Sequence, residues 1–165
     1  MKIEVATLAG GCFWGLEDLL RRIPGVQEVE VGYTGGLSEN ASYQEVKTGK
    51  TGHAESVQIK FDSSVLTYEQ VLLQFFRMHD PTTKNQQGND RGTQYRSVIF
   101  YHTPQQRATA EAVILRVDRS HAWKDPVVTE IIPAGPWWRA EDYHQDYLLK
   151  NSEGYTCHYL RNIEF

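Results

Sequence analysis

The chain has 165 residues, 40% hydrophobic and 23% charged, with a formal net charge of -4. That length suits a single domain that buries a core without metal or disulfide staples, and the acidic balance supplies no basic field to recommend a nucleic-acid partner. No basic-then-apolar leader opens the chain and no apolar run approaches a membrane span, so no membrane partner and a cytoplasmic location are expected.

Lys2-Ile3-Glu4-Val5-Ala6 alternates polar and apolar residues, which predicts a first strand. After Gly10-Gly11-Cys12-Phe13-Trp14-Gly15 the period changes. Leu16, Leu19, Leu20 and Ile23 fall at helical spacing, with Glu17, Asp18, Arg21 and Arg22 filling much of the other face. Pro24-Gly25 ends that helix. Cys12 therefore lies at a strand-to-helix junction, where free N–H groups and the helix dipole favour an anion. A thiol there is expected to ionise more readily than a free one. A small buried Cys in a packed turn is the other reading of the same residues.

Val29, Val31 and Tyr33 alternate with Glu28, Glu30 and Gly32 as a second strand. A long polar loop over residues 34–51 follows, with Tyr43 embedded in it. Val57, Ile59 and Phe61 mark a third strand, led into by His53-Ala54-Glu55. Thr67-Tyr68-Glu69-Gln70 has capping-box spacing and opens a helix with Tyr68, Val71, Leu72, Phe75, Phe76 and His79 on one face. Residues 82–94 read as a polar loop, 95–101 as a fourth strand, and Thr103-Pro104 opens a helix to about His121. A fifth strand is expected at 127–132 and a last helix at 141–150. The tail over 151–165 is expected to be irregular and mobile, with Gly154 and Cys157 in it. The first six elements run β-α-β-β-α-β, the ferredoxin-like order. The expected fold is an α+β two-layer sandwich with C-terminal extensions, one domain spanning residues 1–165.

Four segments then carry a resemblance. Gly11-Cys12-Phe13-Trp14-Gly15, Gly52-His53-Ala54-Glu55, and Gly88-Asn89-Asp90 with Gly92-Thr93-Gln94-Tyr95-Arg96-Ser97 resemble the signature segments of peptide methionine sulfoxide reductase A. Gly154-Tyr155-Thr156-Cys157-His158 resembles the recycling-cysteine tail of some members. Ala41 stands where Pro is common, and Lys47 where some members have another Cys, which removes a possible third relay thiol.

The resemblance implies reduction of methionine-S-sulfoxide, free or in oxidised peptides and proteins, a reaction that reverses Met oxidation. Reducing a sulfoxide needs a nucleophile for sulfur and a proton for the departing oxygen. Cys12, the one thiol at a helix start, is the candidate nucleophile. Glu55 is the family's acid, and desolvation among aromatics would keep it protonated. By resemblance, the Tyr43 and Tyr95 hydroxyls bond the sulfoxide oxygen, Asp90 supports the site, and Phe13 and Trp14 hold the S-methyl group. A Cys12 sulfenic acid would condense with Cys157, the only other thiol, and thioredoxin would reduce the disulfide by exchange. No organic cofactor is implied, and the six His show no metal-ligand spacing. A monomer is expected. A cysteine peroxidase would use the same two thiols, and a non-enzymatic ferredoxin-like binding module would need neither.

Overall fold

The computed structural model describes all 165 residues. In chain order its elements are β1 (Ile3–Gly10), α1 (Phe13–Arg21), β2 (Val26–Thr34), α2 (Tyr43–Lys47), β3 (Ala54–Asp62) and α3 (Tyr68–Met78). The short β4 (Gln86–Gln87) and β5 (Asp90–Arg91) come next, then β6 (Ser97–Tyr101) and α4 (Pro104–Ser120). β7 (Glu130–Pro133), β8 (Trp138–Arg139) and α5 (Tyr147–Lys150) complete the set. One six-stranded sheet, in the order β7-β6-β1-β3-β2-β8, carries the fold, while β4 and β5 form a separate pair. Only the β6–β7 pairing is parallel, so the sheet is mixed and the class is α+β. No helix is long and apolar enough to cross a membrane.

β1 is one of the two central strands, hydrogen-bonded to β3 on one side and β6 on the other. Because successive side chains point to opposite faces, Ala6 and Leu8 enter the main core while Ala9 joins Val98 and Phe100 on the other face. Both faces are covered, so residues 7–10 have no need to alternate and the strand runs four residues past the expected end at Ala6. The main core takes Leu16 and Leu20 from α1, Val71, Leu72, Phe75 and Phe76 from α3, and Ala110, Val113 and Val117 from α4. Opposite them stand Val31 and Tyr33 of β2, and Val57, Ile59 and Phe61 of β3. Truncating one of these buried rings, as in Phe75→Ala, costs about 3–5 kcal/mol.

Several expectations change. The 34–51 loop contains α2, closed by a reciprocal cap in which Ser42 Oγ accepts the Glu45 N–H and Glu45 accepts the Ser42 N–H. At 95–101 the strand begins only at Ser97, because residues 93–95 form a 3-10 turn. The fifth strand is shifted to 130–133, and β8 was not expected at all. The helix expected over 141–150 is broken into a 3-10 turn (Asp142–His144) and the short α5. Gln145 leaves helical backbone and Asp146 takes a left-handed φ of 56°. The Gln145 side-chain amide accounts for the break: it accepts the Val31 N–H and donates to the carbonyls of Val31 and Ala140, continuing the edge of β2. Glu17 is not on a solvated face. It is fully buried, accepts the Asp146 N–H at 3.1 Å, and has the Arg21 guanidinium 3.2 Å away.

Candidate active site

Cys12 is the N-cap of α1, placed there by the left-handed turn at Gly11 (φ 93°) that closes β1. The thiol is 8% exposed and free. Its environment corrects the expectation of easy ionisation. Burial, then the nearby Glu55 carboxyl, push the Cys12 thiol well above its usual range, with Asp90 and Cys157 adding to the rise. The Trp14 backbone N–H pulls the other way and is outweighed. At rest Cys12 is a protonated thiol.

Glu55 is in phase with Val57, Ile59 and Phe61, so the strand period carries its carboxyl onto the helix-facing side of the sheet. It pairs across to Tyr33 on β2 and is 1% exposed. Oε1 accepts the backbone N–H of Phe13 at 3.2 Å, the peptide group immediately after Cys12. Desolvation raises its pKa to about 8; the Phe13 N–H opposes that rise and the Asp90 charge adds to it. A solvated strand-edge carboxylate is therefore excluded, because β3 is an interior strand.

Tyr43 is the first residue of α2, and burial followed by the Glu55 and Cys12 charges pushes its hydroxyl up to about 12. Tyr95 closes the 3-10 turn and is raised by burial, then Glu55, Tyr43, Asp90 and Cys12. Both phenols are half-buried proton donors that do not ionise at neutral pH. Asp90, on β5, accepts from the Tyr155 hydroxyl at 3.2 Å and has the Cys157 sulfur 3.8 Å away. Burial raises its pKa above the usual carboxylate value. Cys12, Tyr43, Glu55, Asp90, Tyr95 and Cys157 thus lie close enough to influence one another's ionisation, although they come from five separate stretches of chain.

Phe13 is fully buried, with ring centroids 5.7 Å from Tyr33 and 5.2 Å from His144. Trp14 is half-buried. Its indole N–H donates to His144 Nδ1 at 2.9 Å, and the ring stacks on Tyr147 at 3.8 Å. His144 also packs against Tyr43 and Tyr143. Because Nδ1 accepts, the ring proton sits on Nε2, which is buried without a partner.

Sequence reasoning missed His144, Tyr147 and Glu141. Glu141 accepts the Tyr33 hydroxyl at 2.8 Å and the Tyr43 N–H at 3.0 Å, fixing the start of α2. A signal existed for α2, in the Ser42-to-Glu45 capping spacing. For the three missed residues there was none, since an unbroken helix over 141–150 would have turned them differently. His53 holds the Gly35-Gly36 turn, accepting from the Gly36 N–H and donating to Ser38 O. No group of three or more His, Cys, Asp or Glu is clustered so as to hold a metal ion.

A family profile described as peptide methionine sulfoxide reductase matches residues 4–164. The chain is 55% identical over 161 residues to peptide methionine sulfoxide reductase MsrA of Pseudomonas fluorescens, covering 98% of this chain and 75% of that protein. It is also similar to the crystal structure of Mxr1 from Saccharomyces cerevisiae in reduced form, with TM-score 0.91 and 38% identity, over 98% of this chain and 93% of that one. Mxr1 in complex with Trx2 aligns with TM-score 0.65 and 25% identity, over 98% and 91% of the two chains. With the profile, the identity and the fold each extending over nearly its whole length, the chain belongs to the peptide methionine sulfoxide reductase MsrA family of enzymes.

Proposed function

We propose that this enzyme reduces the S epimer of methionine sulfoxide, in peptides, in proteins and as the free amino acid. Cys12 is the nucleophile, Glu55 the acid, Cys157 the resolving thiol and thioredoxin the reductant. One observation carries the reading. A buried carboxyl with a pKa of about 8 is hydrogen-bonded to the peptide N–H that follows a buried thiol. A carboxylic acid kept neutral near pH 7 can give a proton to an oxygen that is losing its bond to sulfur.

The reaction follows from that pair. Cys12 Sγ attacks the sulfoxide sulfur while Glu55 protonates the oxygen, and the thiol proton of Cys12 returns to the Glu55 carboxylate. Oxygen ends on Cys12 as a sulfenic acid and the thioether leaves as methionine. The substrate sulfur gains two electrons and Cys12 loses two. Tyr43 and Tyr95, held as neutral phenols, donate hydrogen bonds where negative charge develops on oxygen. Trp14, clamped by His144 and Tyr147, offers the apolar surface for the S-methyl group, and the buried Phe13 backs it through the His144 ring that both contact.

Cys157 then condenses with the sulfenic acid, and thioredoxin reduces the disulfide by exchange. The complex of Mxr1 with Trx2 supports that choice of reductant. The S preference rests on the family. We take the core of β1, α1, β2, β3, α3 and β6 as ferredoxin-like, with residues 151–165 as the C-terminal segment that presents Cys157. A peroxidase would use the same two thiols but would not need a protonated Glu55 beside Cys12. The test is dithiothreitol-driven reduction of separated S and R epimers of a blocked methionine sulfoxide, with hydrogen peroxide as competitor. Turnover of S alone, undiminished by peroxide, is expected; preferential consumption of peroxide would reverse the reading.

A further inference from the structure

The C-terminal tail meets the Cys12 loop through His158, a residue with no part in the steps above. Its ring is 6% exposed, and Nε2 lies 2.6 Å from the carbonyl oxygen of Gly10. A carbonyl only accepts, so Nε2 carries the ring proton and Nδ1 keeps its lone pair. That Nδ1 faces Cys157 Sγ at 3.8 Å. Gly15 leaves room for this contact, and Gly11 leaves room for both His158 and the Gln87 side chain. A Cβ on Gly11 would meet His158 Cε1 at 3.1 Å, and one on Gly15 would meet His158 Nδ1 at 2.6 Å and collide with Thr156 Oγ1. Gly88, across the tail, would place a Cβ 3.3 Å from Cys157 Cβ. The resolving segment is thus seated between the Cys12 loop and the turn joining β4 to β5, with His158 as its one hydrogen bond to the backbone of residues 10–15.

We propose that His158 is the positioning residue of the regeneration step: its hydrogen bond to Gly10 pins the tail to the Cys12 loop and holds Cys157 within reach of the Cys12 sulfenic acid. The inference rests on Cys157 being the resolving thiol. In that step Cys157 Sγ attacks Cys12 Sγ, the S–S bond forms and the S–O bond breaks. Each sulfur ends one electron from where it began, Cys157 oxidised and Cys12 reduced. The Cys157 proton passes to the Asp90 carboxylate, 3.8 Å from Sγ, and joins the departing hydroxide as water. Burial holds the His158 ring neutral, with a pKa of about 4, so it is a poor proton store and its work is geometric. A free tail offers its thiol at a concentration set by chain flexibility, whereas a pinned one gains the larger advantage of fixed orientation.

The test follows two rates after mixing reduced enzyme with one equivalent of sulfoxide and no external reductant. Methionine release reports the first step. Disulfide formation, read by acid quench, alkylation and intact mass, reports the second. For His158→Ala, methionine release stays within roughly twofold of wild type, because that step does not use the contact. Disulfide formation slows by about tenfold or more, the scale lost when a positioned group is freed. His158→Gln, whose amide nitrogen reaches the place of Nε2, recovers most of that rate. Gly15→Ala, helix-compatible but in collision with Thr156 and His158 of the seated tail, reproduces the defect with residue 158 unchanged. An unchanged disulfide rate in His158→Ala overturns the proposal, and so does an equal fall in both rates, which marks a merely structural residue. Cys157→Ser separates the premise. If that variant sustains wild-type turnover with thioredoxin, the resolving-thiol reading fails and this one with it. If it stops turnover while His158→Ala forms disulfide normally, only the role of His158 is refuted.

Discussion

Glu55 accepts the backbone N–H of Phe13 at 3.2 Å, so the second strand neighbour of β1 is tied to the first turn of α1 at the peptide that follows Cys12. The bond gives one carboxyl oxygen a fixed partner and leaves the other to carry the proton. Glu55→Gln keeps the size and the acceptor but has no acidic proton. Loss of general-acid assistance is worth roughly 10²–10⁴-fold. Single-turnover methionine release should slow by that order while substrate affinity changes little; a rate within a few-fold of wild type would return Glu55 to a structural role.

The same carboxyl sets a pH dependence. With a pKa of about 8, Glu55 is protonated below that pH and loses its proton above it. Turnover should therefore fall about tenfold per pH unit beyond that point, and the limb should vanish in Glu55→Gln. Stability moves in the same window. Between the ordinary 4.5 and about 8 the folded chain holds a proton that the unfolded chain releases, so stability falls as pH rises, by about 1.4 kcal/mol per unit. Below the unfolded value both states are protonated and the contribution disappears. The buried His79 and His158, with pKa values lowered to about 3 and about 4, act with the opposite sign below 6.5. Denaturant unfolding of wild type and Glu55→Gln across pH should isolate the Glu55 slope as their difference.

Tyr43 and Tyr95 approach the site from α2 and from the turn before β6. Each phenol is held neutral chiefly by burial, with Glu55 and Cys12 close enough to raise it further once they ionise. Tyr43→Phe and Tyr95→Phe should each slow the chemical step by roughly 10²-fold, the typical worth of one donor to a developing oxyanion. Rapid-quench rates with saturating substrate decide it. Wild-type rates in both variants would leave them as packing residues.

Much of this was legible in the sequence, because period-2 and period-3.6 patterns report burial directly. The alternation Val57, Ile59, Phe61, extended back by one step, puts Glu55 on the core side, and the change of period after Gly11 puts Cys12 at a helix start. What could not be read depends on contacts between distant segments. The thiol ionisation was misjudged because the helix end is local in sequence, whereas burial and Glu55 are not. Residues 141–150 were misread because the side chain of Gln145 serves as a strand edge for Val31, 114 residues away, and no local pattern encodes that. Glu17 was placed on the wrong side for the same reason, since its partner is the Asp146 N–H.

Gln145 offers a test of that long-range edge. Its amide satisfies both backbone groups of the fully buried Val31. Gln145→Ala leaves the N–H without that partner and should cost about 1–3 kcal/mol, the typical penalty for a buried donor left unpaired. Urea unfolding would show it as a lower midpoint at unchanged slope.

The most direct test of the proposed cycle is the mass of the enzyme itself after one turnover without reductant. Reduced wild type mixed with one equivalent of the S epimer should release one equivalent of methionine and lose two hydrogens, as Cys12 and Cys157 join. Cys157→Ser should release the same equivalent but gain one oxygen on Cys12, and Cys12→Ser should release none and keep its mass. Methionine formed by Cys12→Ser, or wild type that releases methionine with both thiols still free, would contradict the account.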